Sequence, residues 1–353
     1  MKYRHFGRKA GLRVSELALG TGNFGTGWGH GAERDEARKI FDRYAEAGGN
    51  FIDTANGYQF GQSETLLGDF LAAERDRFVL ATKYTMGTDP KAGVTRTGNS
   101  RFNMARAVED SLRRLKTDRI DLYWAHIPDG ATPIEEILRG FDDLTRAGKI
   151  LYGGLSNFPA WRVARGAAIA DLQGWAPLAG IQIEYSLAER SGDRELLPMA
   201  EALGLGVAMW SPLGGGFLTG KYRAGGAGDN RATKLGILVH GEKSARETAI
   251  LDALQAVAKD RGATPTHIAI AWLLYKAAHS STGLIPILGS RSAAQLDATL
   301  DALKVALTDD QAASLDAASA IPLGIPHQQI REQSGAYSGG DASRLAPPAV
   351  PAA

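Results

Sequence analysis

The sequence predicts an α/β fold, a (β/α)8 TIM barrel with an N-terminal β-hairpin and long loops at its C-terminal face. Short apolar runs alternate with amphipathic stretches along the 353 residues. A barrel of this class needs about 250 residues plus insertions, so the chain is long enough. No Pro- or Ser-rich linker divides it. A doubly wound sheet with a second domain is the alternative that the alternation leaves open.

The predicted elements follow one another in a regular order. Two alternating segments, 2–6 and 12–15, predict the hairpin. The strand candidates are 17–19, 51–53, 78–82, 120–125, 150–155, 180–184, 207–210 and 284–288. The helix candidates are 35–47, 64–72, 103–115, 134–146, 163–172, 195–203, 245–260, 265–277 and 293–303. Thr132-Pro133 has the residue types of a helix start, and Gly48 and Gly148 those of helix ends.

The predicted domain is one barrel over residues 1–333, followed by a mobile C-terminal tail over 334–353. Loops at the carboxyl ends of barrel strands carry function, so four segments are expected to set specificity. These are 22–31 with Trp28, 84–101 with Tyr84, 225–244 and 325–337. Their mixture of Trp, Tyr, Met and Gly predicts a roomy and partly apolar substrate pocket.

Composition excludes several function classes. Forty Lys plus Arg against 39 Asp plus Glu leave a net charge of +1, which favours neither nucleic acid nor an anionic membrane. The absence of cysteine excludes disulfides and thiolate metal sites. No apolar run approaches the roughly 18 residues of a membrane helix. We expect a cytoplasmic protein, monomeric or homo-oligomeric, that binds a small molecule and no metal.

A glycine pattern behind the first strand candidate resembles a dinucleotide-binding motif. Residues 20–25 have the spacing G-x-G-x-x-G, and Asp53 ends the next strand candidate, where such folds place an acid on a ribose. In that fold the last glycine lies in the first turn of a helix. Here the chain stays rich in glycine to Gly31, and helical periodicity begins only near Asp35. The pattern therefore predicts a barrel loop.

A second glycine pattern, at 215–222, resembles a P-loop but has Tyr222 where that motif needs Ser or Thr. The residues after it do not have a helical pattern. A triphosphate site is therefore not expected. Two interpretations stay open: a flexible glycine loop, or backbone N–H groups that line the phosphate of another cofactor.

Four chemically active side chains cluster near the carboxyl ends of successive strand candidates. Asp53, Lys83 and His126 end the second, third and fourth strands, and Tyr58 follows Asp53 by five residues. Each alone is compatible with a salt bridge or with packing. A phenol has a pKa near ~10, and a nearby ammonium favours its phenolate form. Together they suit proton transfer to a carbonyl oxygen, with Asp53 holding Lys83 and His126 orienting the substrate.

These segments resemble the aldo-keto reductases, which reduce aldehydes and ketones with nicotinamide cofactors on a (β/α)8 barrel. The resemblance rests on 51–58 (FIDTANGY), 81–83 (ATK) and 121–129 (DLYWAHIPD), and extends over about 3–303. It implies that Tyr58 is the general acid/base, that Lys83 and Asp53 assist it, and that His126 orients the substrate. With the loop prediction, the expected substrate contacts are Trp28, Tyr58, Tyr84 and His126.

The resemblance also implies a cofactor site. Its expected residues are Gly22, Asn23, Phe24, Asp53, Ser156, Asn157, Gln182, Trp210, Ser211, Pro212, Leu213, Gly215, Lys221, Gly289, Ser290, Arg291 and Gln295. Ser156, Asn157 and Gln182 would meet the nicotinamide carboxamide, and Trp210 would stack on its ring. A guanidinium pairs well with a 2′-phosphate, so Arg291 favours NADP(H) over NAD(H). The chain departs from the family at Ala298 and Thr299, where an acid and Asn usually hold the adenine.

The function predicted from these residues is an NADP(H)-dependent oxidoreductase. It would interconvert an aldehyde or ketone and the corresponding alcohol by hydride transfer, with Tyr58 exchanging the proton. The alternative is a cofactor-binding regulatory or scaffold subunit of the potassium-channel β-subunit type, with little turnover.

Overall fold

Eight parallel strands close into a barrel in the computed structural model, which describes residues 1–353 except 90, 222, 224–239, 347 and 351–353. The strands are β3 Ala18–Gly20, β4 Phe51–Asp53, β5 Val79–Tyr84, β6 Ile120–Ala125, β7 Ile150–Ser156, β8 Leu178–Glu184, β9 Gly206–Trp210 and β10 Leu284–Leu288. They pair in chain order, and β10 pairs with β3 to complete the ring. The predicted barrel is confirmed, and the doubly wound alternative, an open sheet, is wrong.

Helices connect the strands and surround the barrel. They are α1 Arg34–Glu46, α2 Gln62–Leu71, α3 Arg101–Leu115, α4 Ile134–Arg146, α5 Ala160–Gln173, α6 Leu196–Leu203, α7 Ala245–Arg261, α8 Pro265–Ala278 and α9 Ala293–Leu300. Among the described residues, three more helices follow α9: α10 Asp309–Ser319, α11 His327–Glu332 and α12 Ser334–Tyr337, the last of which lies within the predicted tail. Among the described residues, no helix is long and apolar enough to cross a membrane.

An antiparallel hairpin closes the amino-terminal end of the barrel. Its strands are β1 Tyr3–His5 and β2 Arg13–Ser15, close to the predicted segments. Phe6, which follows β1, is fully buried and packs edge-on against Phe51, with ring centroids 5.6 Å apart, and against Trp124 at 6.2 Å. Large aromatic side chains therefore fill the bottom of the barrel.

The alternation of side chains along each strand places polar residues at the carboxyl-terminal end of the barrel, opposite the hairpin. Successive side chains of a strand face opposite sides of the sheet, so residues two apart share a side. Phe51 and Trp124 belong to the apolar cluster inside the barrel. Asp53 and His126 lie two residues further along the same segments. The apolar interior layer is thus covered by polar side chains at the carboxyl ends of the strands.

Candidate active site

Lys83 is the centre of the polar cluster. Its Nζ donates to Oδ2 of Asp53 at 2.5 Å, to the carbonyl oxygen of Thr54 at 2.8 Å and to the hydroxyl of Tyr58 at 3.1 Å. The side chain is fully buried. Burial by itself lowers the pKa of Lys83, but the Asp53 carboxylate and Tyr58 outweigh it and leave that pKa raised. The residue is therefore an ammonium ion.

Asp53 has both carboxylate oxygens occupied by donors. Oδ2 accepts from Lys83, and Oδ1 accepts from Nε2 of Gln182 at 2.8 Å. The residue is 2% exposed, and its carboxylate forms a buried ion pair with Lys83. Burying a charge is costly unless it is paired and hydrogen-bonded, and here both conditions are met. Asp53 thus holds the Lys83 ammonium in one position.

Tyr58 begins a tight 3-10 turn, Tyr58–Gly61, between β4 and α2. Its half-buried ring lies edge-on to the rings of Trp28 and His126, with centroids 6.0 Å and 5.9 Å away. The ammonium of Lys83 lies 4.7 Å from the centre of the ring. The structure therefore brings Asp53, Tyr58, Lys83 and His126 together, with Trp28 beside them.

The backbone of His126 is held by hydrogen bonds on both sides. Its N–H group donates to the carbonyl oxygen of Tyr84 and to Oγ1 of Thr85, each at 3.2 Å. Its carbonyl oxygen accepts from Nδ2 of Asn157 at 3.0 Å. Burial, and then the charge of Lys83, lower the pKa of the imidazole to about 3. His126 is thus neutral at physiological pH.

This lowered pKa predicts how stability depends on pH. Between about 3 and about 6.5, the unfolded chain binds a proton at His126 that the folded protein does not. The free energy of unfolding therefore falls as the pH is lowered through that window. Between about pH 7 and about pH 5, we expect the melting temperature of His126→Gln to fall less than that of the wild type. Thermal unfolding measures this, and the exposed His5→Gln is the control. Equal losses in wild type and His126→Gln would contradict it.

A polar network follows His126 along the ends of β7 and β9. Asn157 has a positive φ of 59° and donates from Nδ2 to Oγ of Ser156 at 3.0 Å. Its Oδ1 accepts from Nε1 of Trp210 at 3.1 Å. Ser156 and Gln182 are buried, whereas Asn157 and Trp210 are half-buried. Amide and hydroxyl groups beside an indole are a donor and acceptor set that fits a nicotinamide ring with its carboxamide.

The segment after β9 is a series of tight turns. Ser211 and the glycines at 214–216 have positive φ angles of 53° to 96°, and 214–219 form a 3-10 turn. Pro212 is buried, Leu213 is half-buried, and Gly215 and Lys221 are exposed. Such turns can present backbone N–H groups to an anion. Residues 225–239 of the predicted specificity segment 225–244 lie outside the described residues.

The predicted phosphate and adenine residues lie at the start of α9. Gly289 is exposed and Ser290 is buried. Arg291 is exposed, and within the described chain its guanidinium forms no hydrogen bond or ion pair; its backbone N–H donates to Oε1 of Gln295 at 3.0 Å. The hydroxyl of Thr299 donates to the carbonyl oxygen of Gln295 at 2.8 Å. The departure at 298–299 thus offers an adenine no carboxylate or amide.

Two expected contacts point elsewhere. Tyr84 is fully buried in the outer core, where it stacks on Tyr123 at 5.3 Å and donates to the carbonyl oxygen of Asn99 at 3.1 Å. It follows Lys83 by one residue, so it faces the helices and not the barrel interior. Phe24 is likewise buried against Phe70, at 6.3 Å. Asn23, by contrast, donates from Nδ2 to the carbonyl oxygen of Ser290 at 3.3 Å and so lies beside another predicted cofactor residue.

Two groups at this site are not among the residues predicted from the sequence. The carbonyl oxygen of Thr54 accepts from Lys83, and a backbone acceptor leaves no signal in residue types. Gln59 bonds the first barrel loop from the position next to Tyr58. A large polar residue immediately after the expected general acid was the signal that could have drawn attention to it.

The chain is similar to known proteins over most of its length. The family model "Aldo/keto reductase family" matches residues 16–320. Norsolorinic acid reductase of Aspergillus flavus is 36% identical over 333 residues, 92% of this chain and 82% of that protein. An uncharacterised oxidoreductase of Bacillus subtilis is 37% identical, over 87% of this chain and 92% of that protein. A putative aryl-alcohol dehydrogenase of Saccharomyces cerevisiae is 33% identical, over 93% and 89%. The chain therefore belongs to the aldo/keto reductase family.

Proposed function

We propose that this protein is an NADP(H)-dependent oxidoreductase that interconverts an aldehyde or ketone and the corresponding alcohol. The observation that carries the proposal is the buried Lys83 ammonium, which bonds both the Asp53 carboxylate and the Tyr58 hydroxyl. A phenol whose hydroxyl group is bonded to a fixed ammonium is suited to donate its proton to a substrate oxygen, because the ammonium stabilises the phenolate that remains. The relatives' names, a reductase and an aryl-alcohol dehydrogenase, support the same class of reaction.

In this mechanism Tyr58 hydrogen-bonds the carbonyl oxygen of the substrate and donates its proton there as the C–O bond becomes a single bond. Lys83 stabilises the phenolate that remains, and Asp53 keeps Lys83 charged and in place. The neutral imidazole of His126 provides a second hydrogen bond that orients the carbonyl. NADPH, when bound, supplies the hydride. In the alcohol-to-carbonyl direction, Tyr58 accepts the proton instead.

The residues around Asn157 and Trp210 are proposed to hold the nicotinamide end of the cofactor. Buried hydroxyl and amide groups fit its carboxamide, and the indole fits its ring. The turns at 211–216 and the exposed guanidinium of Arg291 are proposed to receive the phosphates. We also propose that the enzyme works in the cytoplasm.

Preference for NADP(H) predicts a specific effect of Arg291→Ala. A charge-assisted hydrogen bond to a phosphate contributes enough that its loss should raise the KM for NADPH roughly tenfold or more. The KM for NADH should hardly change, because NADH has no 2′-phosphate. Steady-state kinetics with both cofactors measure this. Arg13→Ala, at the hairpin end of the barrel, is the matched control. Equal effects on NADPH and NADH would contradict the assignment of Arg291.

The function itself is tested with a panel of carbonyl compounds and alcohols, each run with NADPH or NADP and with NADH or NAD. We expect carbonyl-dependent oxidation of NADPH and alcohol-dependent reduction of NADP. If NADPH binds tightly but no carbonyl compound in the panel causes its oxidation, the result would instead support the scaffold-subunit alternative. An absence of both binding and turnover would contradict both functions.

A further inference from the structure

Gln59, the residue after Tyr58, joins the Tyr58 turn to the first barrel loop. Its side chain is fully buried. Nε2 donates to the carbonyl oxygen of Gly22 at 3.0 Å, and Oε1 accepts from the backbone N–H of Trp28 at 2.8 Å. One amide group therefore bonds the loop at two points six residues apart, at Gly22 beside the Tyr58 ring and at Trp28.

Gln62, at the start of α2, holds the middle of the same loop. Its Oε1 accepts from the backbone N–H groups of Thr26 at 2.9 Å and Gly27 at 3.1 Å. The approach is so close that a Cβ at Gly25 would lie 2.6 Å from Oε1 of Gln62. A Cβ at Gly27 would lie 2.6 Å from the carbonyl oxygen of Gln59. A side chain at Gly25 or Gly27 would therefore collide with Gln62 or Gln59, which explains why both positions are glycine.

The backbone of Gln59 supports the same interpretation. Its φ of 51° is in the left-handed region, which costs free energy for any residue except glycine. Such a conformation persists where surrounding contacts hold the residue in place, and it is concentrated at functional sites. Here those contacts are the bonds to Gly22 and Trp28.

The result of this arrangement is an aromatic wall, formed by Trp28, His30 and Phe60, beside the ring of Tyr58. The indole of Trp28 lies 6.0 Å from the ring of Tyr58, 6.4 Å from Phe60 and 6.0 Å from His30, measured between centroids. Phe60 is 43% exposed, and Trp28 and His30 are half-buried. Aromatic side chains offer a flat apolar ligand a large contact area with preferred stacking geometries.

We infer that Gln59 is a positioning residue that fixes Trp28 beside Tyr58, and that the wall so formed selects flat aromatic carbonyl compounds over small aliphatic ones. The inference rests on the proposed function. A loop that is already ordered does not have to become ordered when the substrate binds. The binding free energy is therefore not reduced by the entropic cost of ordering the loop. A small aliphatic aldehyde contacts little of Trp28 and gains little from its position.

The test uses Gln59→Gly, because glycine suits the positive φ and removes only the side-chain bonds. With NADPH and 4-nitrobenzaldehyde, kcat/KM should fall about tenfold, mainly through KM, as expected for two lost hydrogen bonds. With butanal it should stay within about twofold. Gln173→Leu, an exposed site at the end of α5, is the control.

A double variant separates positioning from a general structural role. Trp28→Ala should lower kcat/KM for 4-nitrobenzaldehyde, and adding Gln59→Gly should lower it no further, because the positioned residue is gone. Full additivity, or equal loss with butanal, would overturn the inference.

Hydrogen exchange of the Trp28 amide gives a readout that needs no turnover. It should be protected in the wild type and exchange faster in Gln59→Gly, and unchanged exchange would also overturn the inference. An inactive wild type would contradict the proposed function instead, and the exchange data would still show whether Gln59 holds the loop.

Discussion

Replacing Tyr58 by phenylalanine is expected to reduce kcat by at least about 100-fold, in the range that a positioned general acid contributes. The substitution removes only the hydroxyl group that Lys83 contacts at 3.1 Å. The ring can keep its packing against Trp28 and His126. The loss should therefore appear in kcat, while the Kd for NADPH, followed by fluorescence, should be almost unchanged.

The matched control for this substitution is Tyr152→Phe. Tyr152 is a half-buried tyrosine on β7 that packs against the apolar cluster in the lower part of the barrel. Removing its hydroxyl group should leave kcat at the wild-type value. Wild-type turnover by Tyr58→Phe, with an intact melting temperature, would show that another group donates the proton.

Replacing Lys83 by methionine should affect both stability and turnover. It leaves the Asp53 carboxylate, which is 2% exposed, without its ion-pair partner. Breaking a buried pair by removing one partner typically destabilises a protein by about 3–5 kcal/mol. Urea unfolding measures that loss. Turnover should fall as well, because no ammonium remains to stabilise the Tyr58 phenolate.

Combining Lys83→Met with Asp53→Asn separates these two effects. The double variant has no buried charge at this point and should recover much of the stability that either single variant loses. Its turnover should stay as low as that of Lys83→Met. Recovery of turnover together with stability would mean that Lys83 serves the fold and not the reaction.

Most of the barrel could be predicted because its strands are buried on both faces. Such strands appear as short apolar runs separated by amphipathic helices, and β4, β6 and β10 have the bounds expected from the sequence. Other strands differ at their ends. The apolar run predicts β5 at 78–82, but the strand spans Val79–Tyr84, because pairing with β6 extends it past that run.

Helix α10 was missed for a physical reason. Asp309–Ser319 is rich in alanine and buries few large side chains, so its apolar periodicity is weak. Tertiary contacts hold it: the guanidinium of Arg246 donates to the carbonyl oxygen of Ser319 at 2.6 Å. A local signal was present, since Thr308 and Gln311 form a capping box.

The polar cluster could be predicted because chain order determines which residues meet at the carboxyl end of a barrel. Asp53 ends β4, Lys83 is the second-last residue of β5 and His126 directly follows β6, so their proximity follows from the fold. The outward orientation of Tyr84 follows from strand alternation and could also have been predicted. The bonds of Gln59 to Gly22 and Trp28 could not, because they join a side chain to the backbone of another loop.

The most direct test of carbonyl reduction at Tyr58 follows one deuterium atom. Wild type and Tyr58→Phe are given NADPH labelled with deuterium at the transferable position of the nicotinamide, together with 4-nitrobenzaldehyde. We predict that the wild type forms an alcohol with one deuterium on the carbon that bears the new hydroxyl group, and that Tyr58→Phe forms almost none in the same time. Unlabelled alcohol, or equal amounts from the two proteins, would contradict the proposed mechanism.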